Sequence, residues 1–261
     1  MYIGVRLRGV ATDYTTPLTC RGVMVVNNRF DDCIQSIDME GELQNLLVAG
    51  NRIIGARLFG LQLEQLVGRA TTIVVAHNTF FRSHWPFRVW DDGPRGRDVA
   101  VLNNLSLAGG VPDWLFLDNG GSRDAPKGPG AVTALGNLWQ FAGNFRECHS
   151  PTDSDMLSQS WIPPSGADTV ASTVAVRSRD PDDKDFLRPA TDSPLSKKAY
   201  TNASLPLPSY VGAIPPDPGA QWDWLSTWRA MKHTDEAPKT VAGQTNRSRA
   251  AAPAGKKRDG K

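Results

Sequence analysis

Cysteine and histidine are scarce in this chain of 261 residues, with three of the first and four of the second. Cys20, Cys33 and Cys148 show no C-x-x-C spacing, so no disulfide framework or zinc ribbon is written here, although one pair could still bridge. His77, His84, His149 and His233 form no triad or metal spacing. No apolar run approaches the length of a membrane span. The start, MYIGVRLRGVATDY, lacks the basic region and apolar stretch of a signal peptide, so an extracellular or envelope location would need a signal upstream. The GxxxxGKS/T phosphate loop, H-E-x-x-H, G-x-S-x-G and the kinase catalytic signature are all missing. Net charge is only +2. Residues 232–261 carry eight Lys/Arg against three Asp/Glu, which leaves −3 on the first 231 residues and argues against a basic nucleic-acid surface there.

What the chain does have is a repeat. Five apolar runs end in asparagine: VMVVNN at Asn28, LLVAGN at Asn51, IVVAHN at Asn78, VAVLNN at Asn104 and VTALGN at Asn137. The steps are 23, 27, 26 and 33 residues. A second run recurs between them as CIQSID, LFGLQLE, PFRVWD and WLFLDN, with closing acids Asp38, Glu64, Asp91 and Asp118 at steps of 26, 27 and 27. Two columns holding nearly one period are the mark of stacked repeats.

The position five before each asparagine is Val23, Leu46, Ile73, Val99 and Val132, and the position three before it is Val25, Val48, Val75, Val101 and Ala134. Alternate residues of a strand share a face, and β-branched types favour strand, so these columns read as one core. Two residues after the asparagine, Phe30, Ile53, Phe80 and Trp139 are large enough to re-enter that core. The asparagine itself suits a tight bend, and stacked amides can bond along the axis. His77, directly before Asn78, reads as an exposed turn residue. The expectation is an all-β right-handed parallel β-helix, a single-stranded solenoid, with a short C-terminal helix and a disordered tail. It divides into coils over 1–145, an irregular excursion over 146–184, a closing segment with a Trp-containing helix over 185–231, and a disordered basic tail over 232–261.

On these apolar-x-apolar-x-x-Asn coils the chain resembles the pectate-lyase-like superfamily of bacterial type, over Tyr2 to about Phe145. The stretch from Asp185 to Leu195, followed by Tyr210-Val-Gly-Ala213, resembles the closing segment of many such proteins, where a glycine-alanine strand ends the coil. The acidic-small-glycine triplet usual after the Ser-Pro is absent. The resemblance implies bacterial polysaccharide-active proteins, but also regions fused to unrelated modules such as serine/threonine kinases. Tyr2-Ile-Gly-Val-Arg-Leu7 matches Leu58-Phe-Gly-Leu-Gln-Leu63, a mid-coil start that suggests the C-terminal part of a longer protein. The Trp224/Trp228 helix reads as a lid over the open end of the coil.

Function is open among three readings. The first is a non-catalytic module recognising carbohydrate or a cell-envelope partner. Its ligand contacts are Gln35, Gln62, Arg88 and Trp90, with Trp90 stacking on a sugar and Arg88 forking onto a uronate carboxylate. The second is a lyase or hydrolase of acidic polysaccharide, in which Asp91, Asp92 and Asp118 hold calcium and Arg88 is base or clamp. Arginine is a poor base, because its pKa lies above 12 in proteins. The third is a structural or regulatory region of a bacterial multidomain protein, with its partner domain upstream. Acids at strand ends also serve as turn caps, which weighs against the calcium set.

Overall fold

A computed structural model describes residues 3–10, 18–65, 70–91, 97–109, 113–116, 132–141, 169–170, 174–196 and 199–231. Its strands are β1 (Ile3–Gly9), β2 (Thr19–Val26), β3 (Arg29–Asp31), β4 (Gln35–Ala49), β5 (Arg52–Ile54), β6 (Phe59–Gln65), β7 (Ala70–Ala76), β8 (Thr79–Phe81), β9 (Trp85–Asp91), β10 (Arg97–Leu102), β11 (Leu105–Gly109), β12 (Asp113–Phe116), β13 (Val132–Leu135), β14 (Leu138–Phe141) and β15 (Thr169–Val170). One helix, α1 (Trp224–Ala230), follows near the end of the described chain.

The strands pair in parallel throughout. One sheet runs β12-β9-β6-β4-β7-β10-β13, with β1 and β2 also on β4, and the second runs β15-β14-β11-β8-β5-β3. Both apolar columns of the repeat face one core. Leu46 pairs with Val23 and Ile73, and Val48 with Val25 and Val75. They pack with Phe30, Ile53, Phe80 and Trp139, which enter from the second sheet. Full burial of each such aliphatic side chain stabilises by about 2 kcal/mol.

The asparagine column fixes the stacking. Asn78 Oδ1 accepts from the Asn51 backbone N–H at 3.0 Å and from Asn51 Nδ2 at 2.9 Å. Asn78 Nδ2 in turn donates to Asn104 Oδ1 at 3.0 Å and to the Val48 carbonyl at 3.0 Å. The same set joins Asn28 to Asn51 and Asn104 to Asn137. The left-handed bend falls one residue earlier than the asparagines, on Asn27, Gly50, His77, Asn103 and Gly136, whose φ values run from 52° to 69°. His77 is fully buried there rather than exposed. It lies 4.9 Å from the Trp222 ring, with Asn103 Nδ2 donating to its Nε2 at 3.2 Å.

The expected all-β β-helix, a single-stranded solenoid, is corrected by this topology. The parallel strands form two sheets with a half-barrel curl and carry a helix on an outer face, an α/β-like arrangement. Strand β4 is the physical reason. The repeat reads as two separate strands per period, yet β4 runs unbroken through both and joins their columns into the larger sheet. Gly41 makes the bend possible: its φ is +82°, and a Cβ would stand 2.5 Å from the Gly9 carbonyl oxygen.

The segment after residue 174 covers outer faces of both sheets. Val174, Phe186, Leu187, Leu195 and Val211 pack on Phe81, Leu105 and Leu107 of the second sheet. Trp222, Trp224, Trp228 and Met231 pack on Leu47, Ala49, Val74, Ala76 and Leu102 of the first. Helix α1 therefore lies along a sheet face instead of lidding an open end. Asp223 caps it, with Oδ1 accepting from the Ser226 backbone N–H at 3.1 Å. The Tyr210-Val-Gly-Ala213 phrase forms bends, not a strand, and docks through Gly212 N–H to the Asn103 carbonyl at 2.9 Å. Only fragments of the expected excursion are described, and residues 232–261 lie outside the described residues.

Asn78→Ala removes the side-chain acceptor of the Asn51 backbone N–H and Nδ2 and the side-chain donor to the Val48 carbonyl and Asn104 Oδ1, all buried, while Asn51 Nδ2 keeps the Val25 carbonyl and Asn104 Oδ1 keeps the backbone N–H of residue 78. Chemical denaturation should show a loss of about 3 kcal/mol, against about 1 kcal/mol for Asn28→Ala at the exposed end of the ladder. Equal costs at the two positions would show that the amide column does not carry the stacking.

Candidate functional site: a layered charge cluster on the open sheet face

A third outer face is polar. It is formed by β1, the first half of β4, β6 and β9. Register places Arg6 beside Asp38, Asp38 beside Gln62, and Gln62 beside Arg88 in one row across the sheet. The next outward row holds Arg8, Glu40 and Glu64, with Trp90 opposite Glu64. The side chains of Arg6, Asp38, Gln62, Arg88, Arg8, Glu40 and Glu64 point outward because Ile37, Met39, Leu61, Leu63 and Phe87, alternating with them, fill the core.

The acids form the floor of the face. Asp38 is 0% and Glu40 4% exposed. One ligand oxygen from each of Asp38, Glu40 and Glu64 lies within 4.8 Å of the others. Arg6 Nε donates to Asp38 Oδ2 at 2.8 Å and its Nη2 lies 3.3 Å from Glu40 Oε1. Arg8 Nε stands 3.2 Å from Glu40 Oε2. Gln62 Nε2 donates to Glu64 Oε2 at 2.6 Å, while buried Gln62 Oε1 and Asp38 Oδ1 accept no hydrogen bond. The arginines are the outer layer: the Arg6 side chain keeps 35% and the Arg8 side chain 27% of its surface in contact with solvent.

Burial raises the proton affinity of two of these carboxyls. Asp38 is pushed up to about 6, first by desolvation, then by the Glu40 charge, against the lowering influence of Arg6. Desolvation, with Glu40 second, also raises Glu64. The acidic trio has the spacing of a hard-cation site. Guanidinium groups already occupy Asp38 Oδ2 and approach both Glu40 oxygens, so protein cations supply the charge a metal would bring. Chemically, the cluster can hold and release a proton near neutral pH under a positively charged surface.

Of the residues expected as ligand contacts, Gln62 and Arg88 share a row. Gln35 stands three positions before that row, opposite Phe59. Trp90 is placed by its backbone opposite Glu64. For the expected calcium set, the Asp91 backbone pairs with Gln65 and Phe116, while Asp92 and Asp118 lie outside the described residues. The four closing acids do not form one column: Asp38 pairs with Gln62, and Glu64 pairs with Glu40. Register pairs Phe59 with Trp85 and Leu61 with Phe87, which leaves Phe59 outside the core clusters.

Sequence reasoning missed Arg8 and the floor position of Glu40, together with the Phe59–Trp85 stack, whose ring centroids are 5.1 Å apart at 13°. Arg88 Cζ lies 4.6 Å from the Phe59 centroid. Aligning Trp85-Pro-Phe-Arg-Val-Trp90 with Phe59-Gly-Leu-Gln-Leu-Glu64 would have found this register.

Fold and site together define a curled parallel-sheet protein with one charged outer face. No family model, curated protein or solved structure matches the chain. The pectate-lyase-like resemblance is corrected by the two curled sheets, and neither it nor the carbohydrate-binding character implied with it has a matching relative. Among the described residues, no helix is long and apolar enough to cross a membrane.

Asp38 binds its proton more tightly folded than unfolded. Its stabilising contribution is complete below the ordinary value of 3.8 and lost as pH rises through about 6. Glu64 acts in the same direction. His77, buried and lowered to about 3, acts oppositely, losing its contribution as pH falls below 6.5. Across melting curves from about pH 4 to about pH 8, the stability of the wild type relative to Asp38→Asn should therefore fall as pH rises through about 6, the His77 contribution being common to both proteins. Parallel curves for the two proteins would refute the assignment.

Proposed function

We propose that the face of β1, β4, β6 and β9 is a non-catalytic recognition surface for an acidic polysaccharide or a cell-envelope partner bearing similar anionic groups. The layering of that face carries the reading: arginines stand half-exposed above buried acids. The outward faces of the other sheet segments are instead covered by the chain's own apolar segments. A guanidinium held by a buried carboxylate keeps its orientation and still presents N–H groups outward, which suits the planar carboxylate of a uronate.

Polygalacturonate oligomers are a direct probe. Calorimetry should detect binding that weakens with added salt. Arg88→Ala should weaken it about tenfold, the loss of one charge-assisted contact. Binding unaffected by salt and by this substitution would sink the proposal.

A second reading is hydrolysis of the same polymer. It is favoured by one observation, a carboxyl at about 6 within 4.8 Å of two others. Environments that separate the proton affinities of neighbouring acids create a donor and an acceptor. On this reading the partly exposed Glu64, its proton affinity raised by burial and by the Glu40 charge, donates the proton to the glycosidic oxygen as water attacks the anomeric carbon. Reducing ends should then accumulate with the wild type and cease with Glu64→Gln while binding persists. Binding without new reducing ends would leave recognition alone.

A further inference from the structure

We infer that the Phe59–Trp85 stack with Arg88 forms an aromatic step that seats one uronate ring of the ligand, its C–H face on the Trp85 indole and its carboxylate on the Arg88 guanidinium. This rests on the recognition reading and names its specificity-determining residue.

Three observations place the step. Trp85 lies opposite Phe59, three positions before the row of Gln62 and Arg88, and the Arg88 guanidinium reaches back over the Phe59 ring, which joins the stack to the charged face. Its indole is held at 13° to Phe59, which is 3% exposed and serves as a buried floor, whereas Trp85 itself is half-buried. Arg88 Cζ is 4.6 Å from the Phe59 centroid and 5.9 Å from the Trp85 centroid, so cation and aromatic surface are fixed relative to one another before any ligand arrives.

A rigid aromatic with few rotatable bonds loses little entropy on binding, and the stack removes part of that cost in advance. Pyranose rings present a row of C–H groups on one face and polar groups at the rim, which complements an indole beside a guanidinium. His84 approaches the indole to 4.6 Å at 54° and bounds the step. A neutral sugar would use the aromatic surface alone. A uronate uses both parts.

Trp85→Ala, Trp85→Leu and Trp85→Phe, measured by calorimetry with oligogalacturonate and its methyl ester, test the inference. Trp85→Leu should weaken both ligands about tenfold, Trp85→Phe by less, and Arg88→Lys should weaken the acid form but not the ester. Trp85→Leu retains apolar bulk against Phe59, so it reports on stacking even where Trp85→Ala fails to fold. A folded Trp85→Leu that binds like the wild type overturns the aromatic step while the recognition surface stands. If the wild type binds neither oligomer, the surface reading and the step fall together.

Discussion

Everything in this structure depends on the column of buried asparagine amides. Parallel strands brought together by burial alone could slip, because a core of similar β-branched residues tolerates more than one register. Each buried amide from Asn51 to Asn137 bonds the side chain and backbone of a neighbouring asparagine and reaches back to a strand carbonyl about one period earlier in sequence. A slip would leave several buried polar groups unpaired at once. Register is thereby set by a polar constraint inside an apolar core. Every row of side chains on the outer faces inherits its alignment from that constraint.

That inherited alignment explains why charges meet on one face and apolar residues on others. Where the outward positions are Leu47, Val74 and Leu102, the chain returns to cover them with tryptophans. Where they are Phe81, Leu105 and Leu107, it covers them with Phe186, Leu187 and Val211. His77 and Asn103 tie this covering segment down, since Asn103 accepts from the Tyr200 N–H at 2.6 Å and donates to the Tyr200 carbonyl at 2.9 Å. A buried neutral histidine at this junction is a packing element. Its low proton affinity follows from desolvation.

The charged face resolves a conflict between burial and charge. Three carboxyls so close together and so poorly solvated cannot all be ionised cheaply. Arginines on the neighbouring strand and the amide of Gln62 offset part of the cost, and a raised proton affinity at Asp38 relieves more of it. The same arrangement orients the guanidiniums outward. Internal electrostatics and ligand recognition are thus one structure seen from two sides, with the Phe59–Trp85 stack extending it into an aromatic border.

The period, the core columns, the amide ladder and the tryptophan-containing helix were legible in the sequence, because each is a local pattern repeated at fixed spacing. The solenoid class and the pectate-lyase-like resemblance read from that repeat were overturned by the sheet topology. The unbroken course of β4 depends on Gly41 meeting Gly9 across strands, a contact that spacing does not record. Grouping the four closing acids by equal steps failed for a related reason: turns of different length shift the second strand by two residues, so Asp38 aligns with Gln62 rather than Glu64. The sequence by itself determined which residues repeat and which faces are apolar, since alternation and period are properties of the chain. Only the tertiary structure decided which acids share a pocket, which arginines shield them and where the helix lies, because those depend on inter-strand register and on a covering segment distant in sequence.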